Sequence, residues 1–170
     1  KACVRPFFWD PLGEPGRCAG EVAALHAMPV AHLYAQWIAA AARHPLAYAA
    51  HRLAHLNATE RWLVPAHWYG AAPPWASEPN AYDFGAPGRA ATRWQRLAAW
   101  LVETPLGWPI LWTVLGAIGL ATVARAEDAA ERLAAALFVS ALAQEASFAL
   151  VSIASDLRYH LWSMTAVALG

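Results

Sequence analysis

One stretch of the sequence decides the fold: residues 105–153, PLGWPILWTVLGAIGLATVARAEDAAERLAAALFVSALAQEASFALVSI. It holds two apolar runs, 105–124 and 133–153, and each has about the 20 residues that a helix needs to cross a bilayer. The charged connector between them, residues 125–132, is long enough to join two helices and short enough to make them antiparallel. The sequence therefore predicts a transmembrane helical hairpin.

The ends of this hairpin carry further helix signals. Thr104 is a candidate N-cap, Pro105 suits the first helical position, and Pro109 predicts a kink in the first turns. A third apolar run, 159–170, is too short to span a bilayer. We expect it to be the start of a third transmembrane helix, in a chain that is part of a longer protein.

Composition agrees with a membrane protein. Of 170 residues, 59% are apolar and 14% are charged, whereas soluble domains average about 45–50% and about 25%. The ten tryptophans suit membrane interfaces, where one side of the ring is apolar and the other is wet. The net charge of zero excludes a nucleic-acid binder held by bulk charge, so no nucleic-acid partner is expected.

Residues 1–104 form a different region, which we expect to lie outside the membrane. Residues 1–20 and 70–88 are rich in proline and glycine and predict loops, while 21–64 predicts helices separated by prolines. Residues 92–102 predict a short amphipathic helix. The predicted fold is all-α: a transmembrane hairpin and the start of a third span, preceded by short amphipathic helices and Pro/Gly loops.

Two cysteines suggest the orientation. Cys3 and Cys18 lie in one loop without metal-type spacing, which favours a disulfide and an oxidising compartment over two unrelated thiols. This places residues 1–104 and the turn 154–158 in the periplasm of a bacterial inner membrane, with 125–132 in the cytoplasm. The positive-inside rule disagrees, but early helices dominate that rule, so we give the cysteines more weight.

Gln144 and Glu145 lie near the middle of the second span. A carboxylate at this depth costs at least ~2.5–3.5 kcal/mol, so Glu145 must face protein or an aqueous cavity. Ser140, Gln144 and Ser147 line one stripe beside it. Two interpretations stay open, a substrate or proton site and a protonated glutamate hydrogen-bonded inside a helix bundle.

The turn after the second span offers a second candidate site. Arg158, Tyr159 and His160 are positioned to bind a lipid phosphate, since a guanidinium fork matches phosphate oxygens. The alternative is structural: Asp156 caps the third helix and Arg158 extends to the interface.

A basic segment, residues 43–61, contains His51 and His55 at a spacing that would let them share a metal ion. No third ligand is suitably spaced, so we predict no metal site and no cofactor. A helix lying on the membrane with its basic edge among lipid headgroups explains the segment better.

Several short motifs resemble one class of enzyme. The chain resembles the C-terminal half of bacterial polytopic membrane proteins. The resemblance rests on Trp37-Ile38, His44-Pro45-Leu46-Ala47-Tyr48 and His51-Arg52, followed by two spans and by Ser155-Asp156-Leu157-Arg158-Tyr159-His160. These membrane proteins are related to the lipid-phosphate-sugar-dependent glycosyltransferases of the GT-C class. The resemblance implies that Arg158 faces the phosphate of a polyprenyl-phosphate sugar donor. The catalytic acids of that class lie in a first outer loop without counterpart here, so whether the chain belongs to an enzyme stays undecided.

The rival interpretation is a non-enzymatic subunit. A Trp- and Ala-rich chain with no complete catalytic constellation suits a scaffold of a larger membrane complex, respiratory or photosynthetic. Its partners would be membrane lipids and other transmembrane helices or subunits.

Overall fold

The computed structural model describes residues 16, 18–64, 87–151 and 156–170. Within these ranges the chain forms seven α-helices and no strand, which confirms the all-α class. The helices are α1 (Ala19–His26), α2 (Val30–Arg43), α3 (Pro45–Glu60), α4 (Arg89–Leu101), α5 (Pro109–Thr122), α6 (Ala129–Val151) and α7 (Leu161–Leu169). Two 3-10 turns, Pro105–Gly107 and Leu157–His160, precede α5 and α7.

Helices α5, α6 and α7 pack against one another and form the core. Its buried apolar side chains include Phe138 and Ala141 of α6 and Ala166 of α7. Gly119 of α5 lies directly against Phe138, because a Cβ at this glycine would come within 2.5 Å of the ring. The close approach of α5 and α6 therefore requires a residue without a side chain at position 119, which glycine provides.

The helix from the first apolar run begins later than predicted. Trp108 is extended, at φ −103° and ψ 108°, and α5 starts at Pro109 rather than Pro105. The cause is local, since the ring of a proline disfavours helical backbone at the preceding residue. Instead of a kink, Pro109 produces a break between the 3-10 turn and α5.

The second helix begins earlier than predicted, at Ala129. An Asp128 carboxylate oxygen accepts the backbone N–H of Glu131 at 2.8 Å, and the Glu131 carboxylate accepts that of Glu127 at 2.7 Å. These bonds satisfy amides that a helix start leaves open. The charged connector thus contributes the first turn of α6, while residues 152 and 153 at the predicted end lie outside the described residues.

Among the described residues, α6 is the one helix long and apolar enough to cross a membrane. Helix α5 is apolar but has only 14 residues, which is about 21 Å against a hydrocarbon core of about 30 Å. Length and composition therefore fit a span for α6 and not for α5 alone.

Helix α3 packs on α6 and α5, and two arginines fix it there. Arg52 donates hydrogen bonds to the carbonyl oxygens of Phe148, at 2.7 Å, and Ala149, at 3.0 Å, in the last turn of α6. Arg61, buried just after α3, donates to the Val102 carbonyl and pairs with Glu103 at 3.5 Å. Both guanidinium groups bind protein, so these two members of the basic segment do not form an edge among lipid headgroups.

The remaining helices expose their apolar side chains. Helices α1, α2 and α4 bury no residue within the described chain. Their exposed side chains include Tyr34 and Trp37 of α2 and Trp94 and Trp100 of α4. The predicted amphipathic helix at 92–102 corresponds to α4, which begins three residues earlier.

Cys18 lies just before α1 in the left-handed backbone region, at φ 49°, and it is not a free thiol. Cys3 lies outside the described residues. The pairing of these two cysteines, and the orientation derived from it, stay predictions.

Candidate functional site: a buried carboxyl and histidine cluster

The side chain of Glu145 points into the protein, and the residue is only 4% exposed. His160 Nδ1 lies 2.8 Å from its Oε2, and the Ser163 hydroxyl donates to its Oε1. The sequence predicts that Glu145 faces protein or an aqueous cavity, and in the structure its carboxyl faces protein, with His160 from the turn before α7 as a partner. Of the two interpretations left open for Glu145, the geometry favours the hydrogen-bonded bundle.

A second carboxyl group lies beside it. Glu60, the last residue of α3, is 4% exposed and accepts a hydrogen bond from Thr113 of α5 at 3.2 Å. Burial, followed by the charge of Glu145 and a hydrogen bond with it, raises the pKa of Glu60 to about 8, although the Thr113 bond opposes this shift. At neutral pH Glu60 therefore holds a proton, which it donates toward Glu145.

His160 connects Glu145 to α3. Its ring is fully buried, and Nε2 lies 2.9 Å from the Thr59 hydroxyl. The ring also packs edge-on against Phe148, with 4.9 Å between ring centroids. Hydrogen bonds at both ring nitrogens and the aromatic contact fix the orientation of the imidazole.

Glu60, Glu145 and His160 together form the carboxyl–histidine cluster. Each offers one ligand atom, and these atoms lie within 4.8 Å of one another, which is close enough to hold a metal ion. Among the described residues, the groups that could hold a metal do not include the histidine pair considered in the sequence, His51 and His55, whose rings lie 6.3 Å apart.

The sequence predicts Glu145 as a carboxylate within the membrane, and it predicts His160 as a phosphate-binding residue at the membrane surface. Glu60 is not among the site residues that the sequence predicts. The available signal was chemical, because a carboxyl in an apolar helix requires a partner, and His160 follows Glu145 by 15 residues across one turn. The contribution of α3 had no such signal, since Glu60 lies 85 residues from Glu145 in the chain.

The turn before α7 separates the three candidate phosphate-binding residues. Asp156 caps the turn by accepting the backbone N–H of Arg158 at 2.9 Å, and it binds Nε of the same guanidinium at 2.8 Å. The Arg158 side chain is 74% exposed and Tyr159 is 41% exposed, whereas His160 points inward. Partial burial acts to raise the pKa of Asp156, but the hydrogen bonds and charge of Arg158 outweigh it and lower the pKa.

The polar stripe of α6 contacts the protein itself. Gln144 donates to the backbone carbonyl of Tyr159, and the Ser140 hydroxyl accepts from the Trp162 indole at 3.1 Å. The Ser147 hydroxyl donates to the carbonyl of Gln144 in its own helix, at 2.6 Å. Two of the three residues therefore fasten the α7 segment to α6.

Comparisons of the chain with protein-family models, with curated protein sequences and with solved structures give no match.

Proposed function

We propose that the chain is a membrane-embedded part of a bacterial polytopic protein resembling the GT-C class, with α5–α7 in the inner membrane and α1–α4 at its periplasmic surface. The length and apolarity of α6 support this proposal. The small part of α6 that other elements bury also supports it. Only 17% of its apolar window is buried, whereas the core helix of a soluble protein is mostly buried. The exposed tryptophans of α2 and α4 suit a membrane interface.

The function we propose is recognition of the phosphate of a polyprenyl-phosphate sugar donor by Arg158. The observation that carries it is the fixed, exposed guanidinium. Asp156 holds Arg158 through Nε, at 2.8 Å, and Nη2, at 2.5 Å, while 74% of the arginine side chain stays accessible. Tyr159, the next residue, and Trp162, in the first turn of α7, are also exposed, as expected for a headgroup site at the membrane surface.

Binding of a polyprenyl-phosphate sugar to the full-length protein in detergent tests this function. Arg158→Lys keeps the charge but loses the planar fork, so we expect roughly tenfold weaker binding or more, the equivalent of one lost charge-assisted hydrogen bond. Arg132→Lys in the connector is the matched control and should bind as the wild type does. Equal binding by wild type and Arg158→Lys, or no binding by either, would refute the proposal.

A second candidate, the scaffold subunit, is favoured by a different observation. The carboxyl–histidine cluster is buried and joins three elements, whereas the apolar side chains of α2 remain uncovered within the described chain. A scaffold would bind no sugar donor and would need a partner subunit to stay folded in detergent. The same binding experiment, combined with the stability of the isolated chain, distinguishes the two candidates.

A further inference from the structure

The three members of the carboxyl–histidine cluster come from three separate elements. Glu60 ends α3, Glu145 lies in α6, and His160 ends the 3-10 turn before α7. Their ligand atoms nevertheless converge within 4.8 Å. Since zinc bonds to oxygen and nitrogen measure about 2.0–2.2 Å, a single ion between these atoms contacts all three after small side-chain movements.

The ligand types select a class of ion. Two carboxylate oxygens and one imidazole nitrogen suit Zn²⁺ and neighbouring divalent transition metals, whereas Ca²⁺ and Mg²⁺ prefer sites made of oxygen alone. Three protein ligands leave a fourth position for water, as in many zinc sites.

The electrostatics of the cluster also favour a cation. Both carboxyl groups are 4% exposed, and among the described residues neither forms an ion pair with a lysine or arginine. Nearby Arg61 pairs with Glu103 instead, at 3.5 Å. Without a cation the two adjacent buried carboxyl groups share a proton, and a divalent ion between them releases this proton and attracts both carboxylates.

Outer contacts hold the ligands in place. Thr59 binds His160 Nε2 at 2.9 Å, which leaves Nδ1 directed at the carboxyl groups. Ser163 binds the Glu145 carboxylate, and Thr113 binds that of Glu60. Such hydrogen bonds to the ligands are typical of protein metal sites, where they fix the tautomer and the ring orientation.

We propose that Glu60, Glu145 and His160 bind one divalent transition-metal ion, with Zn²⁺ as the best match, and that this ion fastens α3 to α6 and to the turn before α7. No ligand of this ion is exposed, since Glu60, Glu145 and His160 are all buried, and the ion would join three separate elements of the fold. The site is independent of sugar-donor binding.

The test uses the full-length protein in detergent, stripped with a chelator and then titrated with Zn²⁺ alone. We expect one tightly bound zinc per chain by elemental analysis and a higher unfolding temperature with zinc than without. Glu60→Gln should abolish both effects. Because the glutamine amide still donates a hydrogen bond toward Glu145, this variant should keep its helical circular dichroism spectrum, which separates loss of the ligand from loss of the fold.

Two further variants sharpen the result. Thr59→Val removes only the outer contact to His160 and should weaken zinc binding by about 10–100-fold without changing the stoichiometry. His51→Asn, on the same helix but outside the cluster, is the matched control and should bind zinc as the wild type does. Absence of tight zinc binding by the wild type, or equal binding by wild type and Glu60→Gln, would overturn the proposal and leave a proton-sharing cluster.

Discussion

Two acid–base pairs lie at opposite ends of the short segment 156–160, and they differ in almost every physical respect. Arg158 pairs with Asp156, two residues away, and its side chain is 74% exposed. His160 pairs with Glu145, 15 residues away on α6, and both side chains are buried. The exposed pair orders a local turn, whereas the buried pair joins α6 to the start of α7 and, through Thr59, to α3.

Solvent explains this difference. Water screens the exposed pair and competes for its hydrogen bonds, so exposed ion pairs contribute about 0–1 kcal/mol. In the buried pair, loss of one partner strands the other without solvation. The contribution of an acid–base pair to stability therefore depends on its surroundings more than on its distance, since both contacts are shorter than 3 Å.

The largest effect is expected for His160→Ala. Removing the imidazole takes one hydrogen-bond partner from the buried Glu145 carboxyl and opens a cavity beside Phe148, so the free energy of unfolding should fall by about 3–5 kcal/mol. Reversible denaturation in detergent after removal of metal measures this loss. A loss below about 1 kcal/mol would mean that the buried pair of His160 and Glu145 contributes no more to stability than an exposed ion pair does.

A smaller effect is expected for Thr59→Val, which removes one hydrogen bond to His160 and keeps the side-chain shape. The free energy of unfolding should fall by about 1–2 kcal/mol, because a buried imidazole nitrogen loses its partner. Thr122→Val, which loses only an exposed bond to the carbonyl of Gly119 in its own helix, is the control and should change stability by less than about 0.5 kcal/mol. Equal losses in the two variants would show that Thr59 does not contact His160.

Arg158→Ala should change stability by less than about 1 kcal/mol, as for other exposed ion pairs. The same denaturation experiment measures it. A loss of stability comparable to that of His160→Ala would mean that Arg158 makes tertiary contacts besides its ion pair with Asp156.

The smallest effect is a dependence on pH. Because the Arg158 contacts lower the pKa of Asp156 in the folded protein, its contribution to stability is present above the pKa of an unfolded aspartate, about 3.9, and disappears as the pH falls through the lower folded value. Unfolding curves of wild type and Asp156→Asn should therefore differ slightly at pH 6 and converge once the pH falls below the folded pKa of Asp156. A difference that grows on acidification would contradict the sign of this shift.

Local parts of the fold could be predicted from sequence. The existence of α5 and α6 follows from the apolar runs 105–124 and 133–153, and the cap at Asp156 follows from a rule that acts within a few residues. The errors at the starts of α5 and α6 were also local, since Pro109 blocks helical backbone at Trp108 and Asp128 caps a helix that includes part of the connector.

Such local rules do not predict the carboxyl–histidine cluster. A hydropathy pattern shows that Glu145 needs a partner but not which one, because the partner is set by how helices pack rather than by spacing along the chain. Glu60 comes to the cluster because α3 packs on α6, where Arg52 binds the last turn. Arg61 contributes as well, because it binds carbonyl groups of Val102 and Gly107 between α4 and α5. The orientation of His160 likewise depends on the 3-10 geometry of residues 157–160, which turns it inward while Arg158 stays outside.

A double-mutant cycle on Glu145→Leu and His160→Leu, in metal-free protein, tests the buried contact most directly. Each single variant strands one buried polar group, whereas the double variant replaces both by apolar side chains. We predict that the double variant loses less stability than the sum of the two singles, by about 1.5–3 kcal/mol. Additivity within about 0.5 kcal/mol would show that Glu145 and His160 do not contact each other and that the cluster does not exist in the folded protein.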